Sequence, residues 1–333
     1  GASSTENTFY PPTQTGLRGS HPGSFENAHR LAREGKGFPE PKDLDEEYDL
    51  VVVGAGISGL AAAHFYRKRY GQTARILLLE NHDDFGGHAR RNEFHQGGKM
   101  RLALGGTHNL EYWSFSDTVS ALLDELGVDV QDMLEHKEFE YGRDGPNGPA
   151  MFFDEATYGR NALVTRCDFT RGKTGASEQT IDSFPISKQA REQLKRFFAM
   201  RTNVLGGKNS EEVEHYLRST PYYKFLGEHG GLGEEALQLF DNANHGSWGL
   251  ETRSLSAAEC LYEGMPGLNL LGEDKLSVGW DYQPAMWPDG NASLARLQVR
   301  SLVPAVAPDA SADNIALAKF DYAQLDTAGA PVR

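Results

Sequence analysis

Six residues, Gly54-Ala55-Gly56-Ile57-Ser58-Gly59, constrain this chain more than any other stretch. Their pattern, GxGxxG, is a weak signal on its own. Here it follows the β-branched run Tyr48–Val53 and opens a segment in which Ile57, Leu60, Ala61 and Phe65 recur at helical spacing. Ile76–Leu79 then reads as a second buried strand. The order predicts a Rossmann-type βαβ unit over 48–80 in an α/β fold. Gly54 permits the tight turn, Gly56 lets a pyrophosphate approach the backbone, and Gly59 lets the helix pack closely on the strand. The first-turn amides, those of Ile57 and Ser58 among them, meet the phosphates at the positive end of the helix dipole. Glu80 ends the second strand about twenty residues past the last glycine, where a carboxylate accepts hydrogen bonds from ribose hydroxyls. Its charge repels a 2′-phosphate, so NADP is disfavoured.

Five residues further on comes Phe85-Gly86-Gly87-His88-Ala89-Arg90-Arg91. The glycine pair allows a second close approach to the dinucleotide. Arg90 and Arg91 add charge at the pyrophosphate, the plainer alternative being two solvated arginines on a turn. FAD and NAD both fit these features. Glu80, Gly86-Gly87 and the arginine after them resemble the second fingerprint of the FAD-containing amine oxidase and phytoene desaturase superfamily. The resemblance implies FAD, with Leu104-Gly105-Gly106-Thr107-His108 as the next glycine-rich segment, passing beside the flavin. Leu17–Glu26 and Pro288-Asp289-Gly290-Asn291-Ala292-Ser293 with Leu294–Leu297 are similar to segments of bacterial spermidine dehydrogenase-like flavoproteins.

That resemblance implies a Rossmann-type FAD-binding domain, of the amine oxidase and glutathione reductase kind, with a largely helical substrate domain. Residues 1–47 read as an arm, 48–112 as FAD-binding βαβ and glycine-rich segments, 113–270 as a mainly helical cap, and 271–333 as an unfinished return to the FAD domain. Relatives are longer, so the expectation is an FAD domain incomplete in this chain and completed by a second polypeptide or a cleaved or separate part. Some relatives carry haem b, for which His21 and His29 are the ligand candidates. Eight residues of continuous helix span about 12 Å, too far for both sides of one iron. Arm or interface contacts are therefore the more economical reading, with a single ligating histidine as the alternative.

The activity implied is oxidation of an amine, polyamine-like in character, by hydride transfer to flavin. The reacting nitrogen must be neutral, which an apolar, aromatic pocket favours. Trp280 and Tyr282, with Trp248 and Trp287, are candidates for that wall, and His108 for a hydrogen bond to the flavin or a solvent network. Glu251, Glu263 and Asp281 are candidate contacts for remote ammonium groups. Two other readings fit the motifs: a desaturase-like flavin enzyme with a non-amine substrate, and a non-catalytic, cofactor-holding subunit.

The formal charge of −14 argues against nucleic acid, which needs a basic footprint, and suits a cationic substrate. No run of 18 apolar residues exists to span a membrane. Cys167 and Cys260 belong to no metal or haem-attachment motif. The opening Gly1-Ala2-Ser3-Ser4 has neither a charged nor an apolar signal region, which predicts a soluble protein, periplasmic if a signal was removed and otherwise cytoplasmic. Helices are expected at Phe25–Glu34, around Val119–Leu126, along the stripe Ala190, Leu194, Phe197 and Phe198, after Thr220-Pro221, after Ser256 and over 291–302. The last residues read as strand or loop pieces around a turn at 328–330, breaking off within a hairpin.

Overall fold

The structure, a computed structural model, describes residues 9–14, 16, 18–136, 149–169, 175–272 and 283–333. The chain divides into two units: Gly1–Lys137 with Gln283–Arg333, and Glu138–Tyr282.

In the first unit, β1 (Leu50–Val53) and β2 (Ile76–Leu79) pair in parallel, Leu50 opposite Ile76 and Val53 opposite Leu79. Parallel neighbours need a crossover, and α1 (Ile57–Tyr70) supplies it. Gly71, at φ 103°, lets the chain leave the helix where a side chain would be strained. A hairpin follows, with β3 (Glu93–Gln96) and β4 (Lys99–Leu102) turned by Gly97 and Gly98. After the excursion through the second unit, α2 (Ala292–Leu302) packs against α1. Leu60 and Ala63 of α1, Val52 and Ile76 of the sheet, and Ala295 and Val299 of α2 share one core.

The chain's last residues depart from the hairpin reading. Ile76 N–H donates to Pro331 O at 2.7 Å, and Arg333 N–H donates to Ile76 O at 3.0 Å. Val332 thus bridges Ile76 in parallel, on the edge of β2 away from β1. A hairpin would run antiparallel. The chain instead crosses over through turns and a short 3₁₀ helix, Tyr322–Gln324, to begin a third parallel line. Among the described residues the other edge of β1 carries no strand; Val51 and Val53, which share one face of the sheet, are 50% and 86% exposed, while Val52 on the other face is buried.

The second unit is mainly helical. Lys188–Ala199 buries Ala190, Leu194 and Phe197 as its apolar spacing requires. Tyr222–Gly230 follows Pro221 and ends on Gly231 at φ 65°. Ser256 and Glu259 form the expected capping box over Ala257–Tyr262. The core gathers Phe153, Phe184, Phe197, Phe225 and Phe240 with Cys167 and Cys260. No described helix is long and apolar enough to cross a membrane.

Candidate nucleotide-binding site

The turn between β1 and α1 is built from backbone alone. Gly54 sits at φ 101°, a conformation that favours glycine. Gly56 is the N-cap of α1 and makes no side-chain cap hydrogen bond, so the first-turn N–H groups are left for a ligand. A Cβ on Gly59 would lie 2.0 Å from Gly54 O and 3.1 Å from Val52 Cγ1. Helix and strand approach this closely only because the methyl is missing. Glu80 crosses from the tip of β2 to the same turn: its Oε2 accepts from Ala55 N–H at 2.9 Å and its Oε1 from His82 N–H at 3.0 Å. Each carboxylate oxygen keeps acceptor capacity for a hydroxyl.

The second glycine pair lies directly on the first turn. Gly86 N–H donates to Ala55 O at 2.8 Å, and Gly86 forms a parallel bridge with Gly56. A Cβ on Gly87, at φ 59°, would reach Gly56 Cα at 3.1 Å. The third glycine segment stacks on the second: a Cβ on Gly105 would meet Arg90 O at 2.6 Å, and one on Gly106 would meet His88 O at 2.6 Å. The loop ahead of α2 then threads the third. Asn291 donates from its backbone to Thr107 O at 3.0 Å and from Nδ2 to Thr107 Oγ1 at 2.9 Å. Four segments distant in sequence therefore form one backbone-lined surface of layered glycines.

A buried charge network holds these layers together. Arg91 donates to Glu93 and to Asp289, both at 2.7 Å, and Ser293 Oγ donates to Asp289 at 2.6 Å. Arg18, from the arm, donates to Asp83 and Asp84, each at 3.1 Å, and to Arg91 O at 2.8 Å. Tyr322 donates to Asp84 at 2.8 Å and Tyr10 to Glu93 at 2.6 Å. Burial holds the Asp84 and Asp289 carboxyls above their ordinary range, despite the hydrogen bonds and cations that pull the other way. At Glu93 burial also pushes upward, but hydrogen bonds from Tyr10 and Arg91 outweigh it and leave the carboxyl below its usual range. Burial and the Glu93 contact push the Tyr10 phenol up to about 12. Arg296, fully buried, has its affinity for a proton reduced by burial, and it lies 3.8 Å over the Phe320 ring.

Beside Glu80 a cleft of about 340 Å³ opens. Its lining includes the polar Glu80, His82, Asp83, Asp84, Asp326 and Arg333, the aliphatic Leu60, Leu78 and Val299, and the aromatic Phe9, Phe85 and Tyr322. Phe85 and Tyr322 stack, their ring centres 5.7 Å apart.

The structure brings together Gly54, Gly56, Ile57, Ser58, Gly59, Glu80, Gly86, Gly87, Arg90, Gly105, Gly106 and Thr107. His108 follows in the third segment, its Cβ 3.2 Å from where a Cβ on Gly290 would stand. His88 is exposed on its turn. The buried Nε of Arg90 has no hydrogen-bond partner among the described residues, while its Nη1 lies 3.8 Å from Asp83 Oδ1. Arg91 instead faces Glu93 and Asp289. Trp287 is buried in the core of the first unit, and Trp248 is exposed in the second. Trp280, Asp281 and Tyr282 lie outside the described residues. His21 meets Pro22 O and His82 Nδ1, each at 3.0 Å, while His29 packs on Phe25. Both ring nitrogens of His21 are engaged, so haem ligation by His21 would require it to leave one of these partners. No cluster of three or more His, Cys, Asp or Glu suited to a metal ion occurs among the described residues.

Sequence reasoning missed the roles of Arg18, Asp83, Asp84, Tyr322 and Asp289. Two adjacent aspartates so close to Glu80 were the only local hint.

These elements define a mixed α/β protein built on a Rossmann-like nucleotide-binding domain. Residues 52–126 match the family model described as NAD(P)-binding Rossmann-like domain. Oxidoreductase PigB of Serratia sp. (strain ATCC 39006) is 42% identical over 53 residues, which is 16% of this chain and 7% of that protein. Among solved structures, wild-type putrescine oxidase bound to putrescine aligns with a TM-score of 0.31 at 18% identity, covering 77% of this chain and 49% of that one. The CLA-producing fatty acid isomerase from P. acnes aligns with a TM-score of 0.29 at 17% identity, covering 78% and 51%. The chain spans about half the length of these structures, and likeness at this level says nothing about substrate.

Proposed function

We propose that this chain holds the ADP half of FAD and serves an oxidoreductase that removes a hydride from an amine. The layered contact of Gly54–Gly59, Glu80 and Gly86-Gly87 carries the reading: it offers backbone donors to a diphosphate and a carboxylate to a ribose in one place. The cradle suits a dinucleotide because the two glycine turns meet backbone to backbone: a Cβ on Gly87 would reach Gly56 Cα at 3.1 Å, and a bare Gly56 lets a pyrophosphate approach the main chain. Arg90, whose buried Nε has no hydrogen-bond partner among the described residues, supplies a cation at the same turn. FAD, when bound, supplies the hydride acceptor. The protein's own part is to fix the pyrophosphate on the α1 amides, orient the ribose through Glu80, and carry the 104–108 segment with His108 toward the reacting end. The net negative charge favours approach of a cationic polyamine. Completion of the flavin site by further polypeptide is supported by the exposed apolar face of the sheet at Val51, Val53 and Leu79.

The test is an absorption spectrum of the native particle beside a denaturing gel, followed by anaerobic addition of spermidine, simple amines and amino acids. Flavin bands that bleach with an amine support the proposal. A flavin that no amine bleaches retires the amine substrate, and a particle without flavin retires the FAD assignment.

A further inference from the structure

The described part of the N-terminal arm fastens onto the loop that leads away from Glu80. Arg18 forks across Asp83 and Asp84 and also reaches Arg91 O, with its side chain only 5% exposed. His21 meets His82, the residue whose backbone N–H holds Glu80 Oε1. Asn81 Nδ2 donates to Gly23 O at 3.1 Å and to Ser24 O at 3.2 Å. At the other end of the arm, Phe9 stands edge-on to Tyr322 with ring centres 6.3 Å apart, and it lines the cleft beside Glu80. The arm is thus tied by a bidentate cation, a histidine pair and main-chain contacts to the segment that would bind the ribose. A contact made only to bury the arm would not need a buried charge fork.

We propose that the arm is part of the nucleotide site: Arg18 is a positioning residue that holds Glu80 on the ribose by acting through Asp83 and Asp84, and Phe9 is a wall against which the adenine ring packs. This rests on the dinucleotide reading above. A ribose held at Glu80 directs its base into the adjoining cleft, where Phe9, Phe85 and Tyr322 offer aromatic surface. Phe9 is 59% exposed, so it contributes little to the core, and its ring is available to a ligand.

Calorimetric titration of the whole protein with ADP and with 2′-deoxy-ADP separates these roles. F9A should weaken ADP by about tenfold, the scale of one lost base–aromatic contact, with the unfolding midpoint unchanged. R18M should bring the affinities for ADP and 2′-deoxy-ADP together, because a loosened Glu80 no longer reads the hydroxyl. R18K, which keeps the charge but not the fork, should recover part of that discrimination, and it replaces R18M should the latter not fold. Wild-type affinity in F9A would overturn the wall, and wild-type ribose discrimination in a folded Arg18 variant would overturn the positioning role. Wild-type protein that binds no ADP would instead defeat the dinucleotide reading itself.

Discussion

Gly56 and Gly59 stand three positions apart in one turn, yet an added methyl meets different surroundings at each. At Gly56 the nearest atom would be Gly87 Cα at 3.8 Å, ordinary contact, and φ is −73°. Gly56→Ala should therefore fold within about 1 kcal/mol of wild type, the scale of a changed helix cap. It should still lose ADP affinity, because the methyl occupies the phosphate's approach. At Gly59 the methyl would fall 2.0 Å from Gly54 O. Gly59→Ala should cost about 2–3 kcal/mol in denaturant unfolding, as overpacking does. Equal stability of the two variants would contradict this assignment of roles. Tyr10 gives a pH test. Its phenol donates to Glu93 and has its pKa raised to about 12 from an ordinary 10.0. The unfolded chain gives up this proton first, so the stability Tyr10 contributes is present below pH 10 and is lost as pH rises toward 12. Tyr10→Phe should be less stable at neutral pH by about 1.5 kcal/mol, as for a hydrogen bond to a charged group. The gap should close through that alkaline window, and a gap that stays constant would refute the linkage.

The elements around the site divide into those with a local signature and those without. β1, α1 and β2 were legible because two strand runs and a helical period bracket a glycine turn within about thirty residues. The capping box at Ser256 and Glu259, and the helix over 292–302, were legible for the same local reason. Arg18 with Asp83 and Asp84 was not, and neither was Tyr322 with Asp84, a pair 238 residues apart. Such pairings follow from the crossover topology and leave no periodicity to read. An arginine beside a glycine pair reads as a phosphate ligand; the fold buries Arg91 between Glu93 and Asp289, partners that no local pattern announces. That pair joins the start of β3 to the loop ahead of α2, so its removal should be felt between elements. Arg91→Met strands two buried carboxylates and should cost about 3–5 kcal/mol. A melting curve indistinguishable from wild type would show that the network is dispensable.

At the scale of the whole molecule, each unit has its own hydrophobic core. The second keeps both thiols buried, with Cys260 pushed up to about 12 by burial. Neither cysteine should react with a thiol reagent in the native protein, and both should react once it is denatured. Rapid native labelling would mean that this core is not closed. The first unit carries the dinucleotide assignment, which a crystal structure of the protein with ADP tests most directly. The account predicts the diphosphate on the amides at Gly56–Ser58 and the ribose hydroxyls on Glu80. ADP bound at another place, or absent from that turn at saturating concentration, would contradict it.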